Sequence, residues 1–296
     1  MSLRSSTVDA LKAAGLDPDD VLVVIQRGLD EDLGIAGDLT GGATIAAASR
    51  LSGRYVPRAP GVIAGVPVLT AIVDHYLGDD ATLTALVADG DVLAARQPIA
   101  EIEASARGLL AMERLSLNLL GHLSGIATVT RAWVDAVAGT SARIRDTRKT
   151  IPGLRDLEKY AVRCGGGVNH RRGLDGGVLI KDNHVSAAGG VGAALDRVRV
   201  AHPSAEVSIQ VEVDDMTELA EAVEHGAPAI LLDNFTNEQL AEAVDFVRRT
   251  KPDVVLEASG GLSIERARSV AETGVDYLAV GGLTHSAPVL DIGLDV

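Results

Sequence analysis

The chain has 296 residues, enough for one large or two ordinary domains at roughly 150 residues each, and 47% of them are apolar. Aromatic residues make up only 2%, which argues against a base-stacking platform for nucleic acid. With 27 Lys and Arg against 41 Asp and Glu the net charge is −14, which argues against general affinity for duplex DNA or anionic membranes.

The N-terminal stretch MSLRSSTVDALKAAGLDPDD has no apolar core ahead of a small-residue cleavage site, so no signal peptide is expected. No apolar run approaches the ~18 residues needed to span a bilayer. Cys164 is the single cysteine, which removes an intrachain disulfide, and nothing in the sequence suggests a metal–thiolate site. A soluble cytoplasmic protein is the expectation.

DVLVVIQRGLDEDLG (20–34) has the spacing of an amphipathic helix. The segments 50–69 and 81–105 alternate and carry turn residues at PG and DGD, as antiparallel strands do. Residues 106–139 form a long apolar helical stretch, with a break expected near Gly121 or Gly125. RIRDT (143–147) and GVLIKDN (177–183) then open a series of strand–helix units. VSIQVEVDD (207–215), AILLDN (229–234), VVLEASGG (254–261) and YLAVGG (277–282) supply four more strands. The helices between them show punctuation: Gly226 closes MTELAEAVEHG, and Thr236 and Gln239 are spaced as a capping box. Repeated units with nearly all-apolar strands predict a parallel sheet covered on both faces, in a barrel or a doubly wound sheet. The strand ends favour the barrel. Arg148 and Lys149, Lys181, Glu212, Asp233, Ser259 and Gly281 each follow or end a strand, and a barrel brings such positions to one mouth. The expected organisation is α/β, with an N-terminal domain over residues 1–115, joined by the last residues of the chain, and a barrel over 116–296.

Charge singles out one region. From Arg143 to Lys181 there are ten cations against four acids, a local +6 that leaves −20 for the rest. A pocket for a small anion is the natural reading. In RDTRKT, Arg148 offers a planar fork for a carboxylate or phosphate beside the point charge of Lys149. In GGGVNHRRG, an extended backbone would put His170 and Arg172 on one side and Arg171 on the other. The glycines make no dinucleotide fingerprint. Lys181 suits an anion contact or a Schiff base. Glu212 and Asp233 suit Mg²⁺ or sugar hydroxyls. The glycine-bearing loops SGG (259–261) and GG (281–282) suit a phosphate held by backbone N–H groups.

Several longer stretches add a resemblance: ERLSLNLLGHLSGIAT, RDTRKTIPGLRDLEKYAVRCGGGVNHRRGL, LIKDNH, LLDN, EASGGL and DYLAVGGLTHSAPVLDIGLD. From about residue 20 onward the chain resembles the quinolinate phosphoribosyltransferase family. The resemblance implies a type II phosphoribosyltransferase fold, an N-terminal α/β sandwich plus an open (β/α) barrel of fewer than eight strands. It implies conversion of quinolinate and phosphoribosyl pyrophosphate into nicotinate mononucleotide, pyrophosphate and CO2 with Mg²⁺, an entry step to NAD. It implies a homo-oligomer, dimer or hexamer, with shared active sites. By motif match, Arg114, Thr147, Arg148, His170 and Arg171 would surround quinolinate, with Arg114 reaching across the dimer. Lys149 and Lys181 would face quinolinate and the pyrophosphate, and Glu212 and Asp233 the ribose hydroxyls and Mg²⁺. Ser259, Gly260, Gly261, Val280, Gly281 and Gly282 would hold the 5′-phosphate. Arg58 would complete the partner's site; His285 is a further candidate and Arg172 takes no role. Three alternatives stand beside this: a nicotinate phosphoribosyltransferase, a lysine-dependent aldolase using Lys181, and a binding protein without turnover.

Overall fold

A computed structural model describes residues 3–203 and 207–296. The chain divides into two compact units, one of Met1–Arg131, Thr150–Gly166 and Leu283–Val296, the other of Ala132–Lys149 and Gly167–Gly282.

In the first unit, α1 (Ser5–Ala13) leads to α2 (Pro18–Leu33) and the short α3 (Leu39–Thr44). Helix α2 starts where the sequence dictates. Asp17 accepts a hydrogen bond from the Asp19 amide, Pro18 sits in the first turn, and Asp19 and Asp20 face the positive end of the helix dipole. Val21, Ile25 and Leu29, four residues apart, form its buried stripe. Then come β1 (Arg50–Pro57), β2 (Gly61–Val62), α4 (Val66–Tyr76), β3 (Ala81–Ala85), β4 (Val92–Leu93), β5 (Ala100–Ser105) and α5 (Ala106–Ala136). The C-terminal strand Ile292–Asp295 pairs antiparallel with β1, giving a four-stranded sheet in the order C-terminal strand–β1–β5–β3. The apolar helix α4 packs on β3 and against α1 and α2.

Helix α5 runs unbroken through 31 residues, contrary to the break expected near Gly121 or Gly125. The division between the two units falls within this helix, at Arg131 and Ala132. The two glycines serve a long-range contact instead. A Cβ on Gly125 would lie 2.1 Å from the Pro288 carbonyl oxygen, and one on Gly121 2.8 Å from that of Leu290. Helix α6 (Arg155–Cys164) is pinned through its fully buried Glu158, which contacts His122 Nε2 at 2.9 Å and accepts from the Ile151 amide at 3.1 Å.

Asp89 caps α4: its Oδ1 accepts from the Val66 amide at 3.0 Å, while its buried Oδ2 accepts nothing. Burial pushes this carboxyl from 3.8 up to about 6. The native state therefore holds a proton that the unfolded chain has released, so Asp89 lowers stability as pH rises from about 4 to about 6. The expected size is roughly 2–3 kcal/mol. Asp89→Asn should remove this slope, so that denaturant unfolding at pH 7 finds the variant gaining on the parent by that amount relative to pH 4. A constant difference across that range would contradict the assignment.

The second unit holds six parallel strands, β6 (Arg143–Arg145), β7 (Val178–Ile180), β8 (Ile209–Val213), β9 (Ala229–Asp233), β10 (Val255–Ser259) and β11 (Tyr277–Ala279). Their order is β6-β11-β10-β9-β8-β7. The first strand pairs with the last and the others follow in sequence, which is the cyclic order of a barrel; a doubly wound sheet would put early strands at its centre. The second strand, β7, does not pair with β6, so the barrel is open there with fewer than eight strands. Helices α7 (Asp182–Ala188), α8 (Val191–Ala201), α9 (Met216–Glu224), α10 (Asn237–Thr250) and α11 (Ile264–Ala271) alternate with the strands. The capping box of Thr236 and Gln239 forms as its spacing predicts, and Gly226 takes φ +69° just past α9. Among the described residues no helix is long and apolar enough to cross a membrane.

Candidate active site

The C-terminal ends of the six strands surround a cavity of about 390 Å³. Thr147, Arg148, Lys149, His170, Arg171, Lys181, Glu212, Asp233 and Ser259 line it together with Leu179, Leu231, Glu257 and Ala279. This is the mouth at which strand-end residues of a (β/α) barrel meet. Alternation puts residues two apart on the same face of a strand, so Glu257 sits one step deeper than Ser259, and Leu231 one step deeper than Asp233.

Two arginines dominate one wall. Arg148 and Arg171 each have a buried Nε with no hydrogen-bond partner. Arg171 donates through Nη1 to the Gly177 carbonyl at 2.7 Å. Burial lowers the pKa of Arg171, and the neighbouring Arg148 charge lowers it further. Two guanidinium groups are thus held close in a concave site, and among the described residues no carboxylate pairs with either. Such an arrangement is costly until an anion compensates it.

His170 and Arg171 both line the cavity, which corrects the expectation that they point to opposite sides. The segment is not a regular strand: only Val168 makes an isolated bridge, to Arg145. Beyond it the fully buried Asp146 takes over. Its carboxylate accepts from the His170 amide at 2.7 Å and from the Asn169 side chain at 2.6 Å. His170 Nδ1 in turn accepts from the Arg171 amide at 2.7 Å, which puts the ring proton on Nε2, 3.0 Å from Gln210 Oε1.

Across the cavity Lys181 Nζ donates to Glu212 Oε2 at 2.7 Å. Asp233 accepts from the Asn234 side chain at 2.6 Å, and Asn234 adopts φ +57° to make that turn. Gly260 must be glycine: it has φ +83°, and a Cβ there would lie 2.2 Å from Asn234 Oδ1. Gly261 (φ +55°) and Gly282 would each present a Cβ to open space, so backbone at these turns is accessible to a ligand. Gly260, Gly261, Val280, Gly281 and Gly282 adjoin the lining at Ser259 and Ala279 without themselves bounding the cavity.

Residues 38–124 match the family profile described as quinolinate phosphoribosyl transferase, N-terminal domain, and residues 126–295 match its C-terminal domain. The chain belongs to the quinolinate phosphoribosyltransferase family. It is 54% identical over 273 residues to nicotinate-nucleotide pyrophosphorylase [carboxylating] of Mycobacterium leprae, covering 92% of this chain and 95% of that protein. It is 40% identical over 268 residues to the probable enzyme of that name in Bacillus subtilis, covering 90% of each. The solved structure of NadC from Streptococcus pyogenes matches with a TM-score of 0.89 and 34% identity, over 95% of this chain and 97% of that one.

Against the quinolinate phosphoribosyltransferase pattern, Arg58 and Arg114 lie in the first unit. Arg58 forms a two-pronged ion pair with Asp295. Arg114 lines a separate groove with Asp32, Asp38 and Thr40. His285 is exposed beside Ser286. Among the described residues no group of three or more His, Cys, Asp or Glu is arranged to hold a metal. Glu212 and Asp233 still give one cavity two carboxylates, a set that fits Mg²⁺ completed by water and substrate phosphate oxygens. Sequence reasoning missed Glu257. Its signal was a charged residue amid the apolar run VVLEAS, where only a paired or functional group belongs.

Proposed function

We propose that the protein transfers the phosphoribosyl group of phosphoribosyl pyrophosphate to quinolinate with decarboxylation, giving nicotinate mononucleotide, pyrophosphate and CO2. The observation that carries this reading is the pair Arg148 and Arg171, two neighbouring guanidinium groups in one cavity with their buried Nε donors unspent. Adjacent ring carboxylates match two adjacent cations.

In this reading Arg148, Arg171 and His170 bind the two carboxylates and Thr147 closes that wall. Lys149 and Lys181 neutralise the anionic substrates. Glu212 and Asp233 accept from ribose hydroxyls, and backbone N–H groups of Ser259–Gly261 and Val280–Gly282 hold the 5′-phosphate. The pyridine nitrogen attacks C1 of the sugar as the C1–O bond to pyrophosphate breaks. The electron pair leaves with pyrophosphate, and positive charge builds on the ring and the sugar. Positioning and charge stabilisation are the protein's contribution. The quaternised ring then accepts the electron pair released at C2 when CO2 departs, and C2 takes a proton. No covalent nucleophile is required. Mg²⁺ bound through Glu212 and Asp233 would offset the charge of the pyrophosphate. The assembly is a homo-oligomer, at least a dimer, in which Arg58 and Arg114 complete a neighbouring site.

The rival readings fit less well. A nicotinate site would leave one guanidinium unpaired. An aldolase lysine must be an uncharged amine, whereas Lys181 is spent on an ion pair with Glu212. Product analysis of a complete reaction should find pyrophosphate and a mononucleotide with one ring carboxylate in equal amounts. A mononucleotide retaining both carboxylates would contradict the reading.

A further inference from the structure

Glu257 is the third carboxylate of the cavity and the most deeply set. It is fully buried, yet its side chain bounds the cavity. Oε2 accepts from Arg145 Nη1 at 2.7 Å, and the Arg145 guanidinium lies 4.2 Å above the centre of the Tyr277 ring. Oε1 accepts no hydrogen bond and stands 3.8 Å from His170 Nε2. Arg145 does not bound the cavity. The ion pair is therefore an oriented dipole, its negative end against the cavity and its positive end behind it, locked by the aromatic ring.

Stability alone does not account for such a pair. Burying two charges costs about as much as their attraction returns, and apolar residues of similar volume often serve as well. Nor is Glu257 there to hold an anionic substrate. Its charge opposes a dicarboxylate at the same site where Arg148 and Arg171 attract one.

We propose that Glu257 stabilises the positive charge that develops on the pyridine ring and the ribose as the new N–C1 bond forms. This rests on the activity proposed above. The substrate ring is neutral with two carboxylates, so Glu257 repels it mildly. The ring in the transition state and in the product is cationic, so Glu257 attracts it. A fixed carboxylate in a low-dielectric floor needs no reorganisation as that charge appears, which is where preorganised groups act most strongly. The residue thus favours the transition state over the ground state, in the opposite sense to a group that simply binds substrate.

The test is Glu257→Gln, which keeps the shape and removes the charge. Quinolinate and nicotinate mononucleotide affinities would be measured by calorimetry, and kcat under saturating substrates. We expect quinolinate to bind as tightly as to the parent protein or slightly tighter, while kcat and affinity for the mononucleotide each fall about tenfold or more. Because each ligand is compared between parent and variant, contacts to its phosphate cancel. Parallel weakening of both ligands would mark a merely structural residue and overturn the proposal, as would an unchanged kcat. Should Glu257→Gln fail to fold with Arg145 unpartnered, the double variant Arg145→Met/Glu257→Gln removes both charges and is read the same way. A parent protein that binds both ligands but forms no product would instead remove the proposed activity, and this role with it.

Discussion

Arg148→Ala should lower kcat/KM for quinolinate by about 10²–10³-fold, or about 3–4 kcal/mol. The guanidinium has a buried Nε with no partner, so the protein alone leaves it uncompensated. A carboxylate that reaches it gains a charge-assisted hydrogen bond. The same substitution also removes the Arg148 charge that repels Arg171, leaving the larger effect of burial in place. A monoacid such as nicotinate, served by one cation, should therefore lose much less than the diacid. Calorimetric titration of the variant with both ligands gives the comparison directly. Equal losses for the two would take Arg148 out of the dicarboxylate site.

Lys181→Met should reduce kcat by about 10²–10³-fold while the protein keeps its fold. Lys181 directly follows β7 and reaches Glu212 at 2.7 Å with its side chain 49% exposed, so the pair adds little to stability. In the proposed reaction its removal would strip a cation from beside the leaving pyrophosphate. It would also leave the 10% exposed Glu212 without its partner. Rapid-quench measurement of pyrophosphate release tests the chemical step. A variant with unchanged kcat would place Lys181 outside the chemistry. Borohydride trapping of a carbonyl compound on Lys181 of the parent protein would favour an aldolase.

Much of this site is legible in the sequence because strand ends in a barrel meet at one mouth. Arg148, Lys181, Glu212, Asp233 and Ser259 end or follow different strands, and their polarity stands out against apolar runs. Whether the sheet closes into a barrel is not local information. It depends on β6 pairing with β11, more than 130 positions along the chain, as the Arg143–Tyr277 register shows. Gly121 and Gly125 mislead for the same reason. In isolation they weaken a helix, but here they admit the backbone of Pro288–Leu290. The direction of His170 is decided by Asp146, which lies 24 residues earlier and draws the backbone out of strand geometry. Glu257 is legible only as an anomaly, since its partner Arg145 is 112 residues away.

The most direct test of the account is CO2 release from quinolinate labelled in the carboxylate next to the ring nitrogen, with the purified protein and Mg²⁺. Release should require phosphoribosyl pyrophosphate, because the carbon–carbon bond breaks only once the ring nitrogen is quaternised. Release without it, or none with it, would contradict a cavity that holds a diacid beside an activated sugar phosphate.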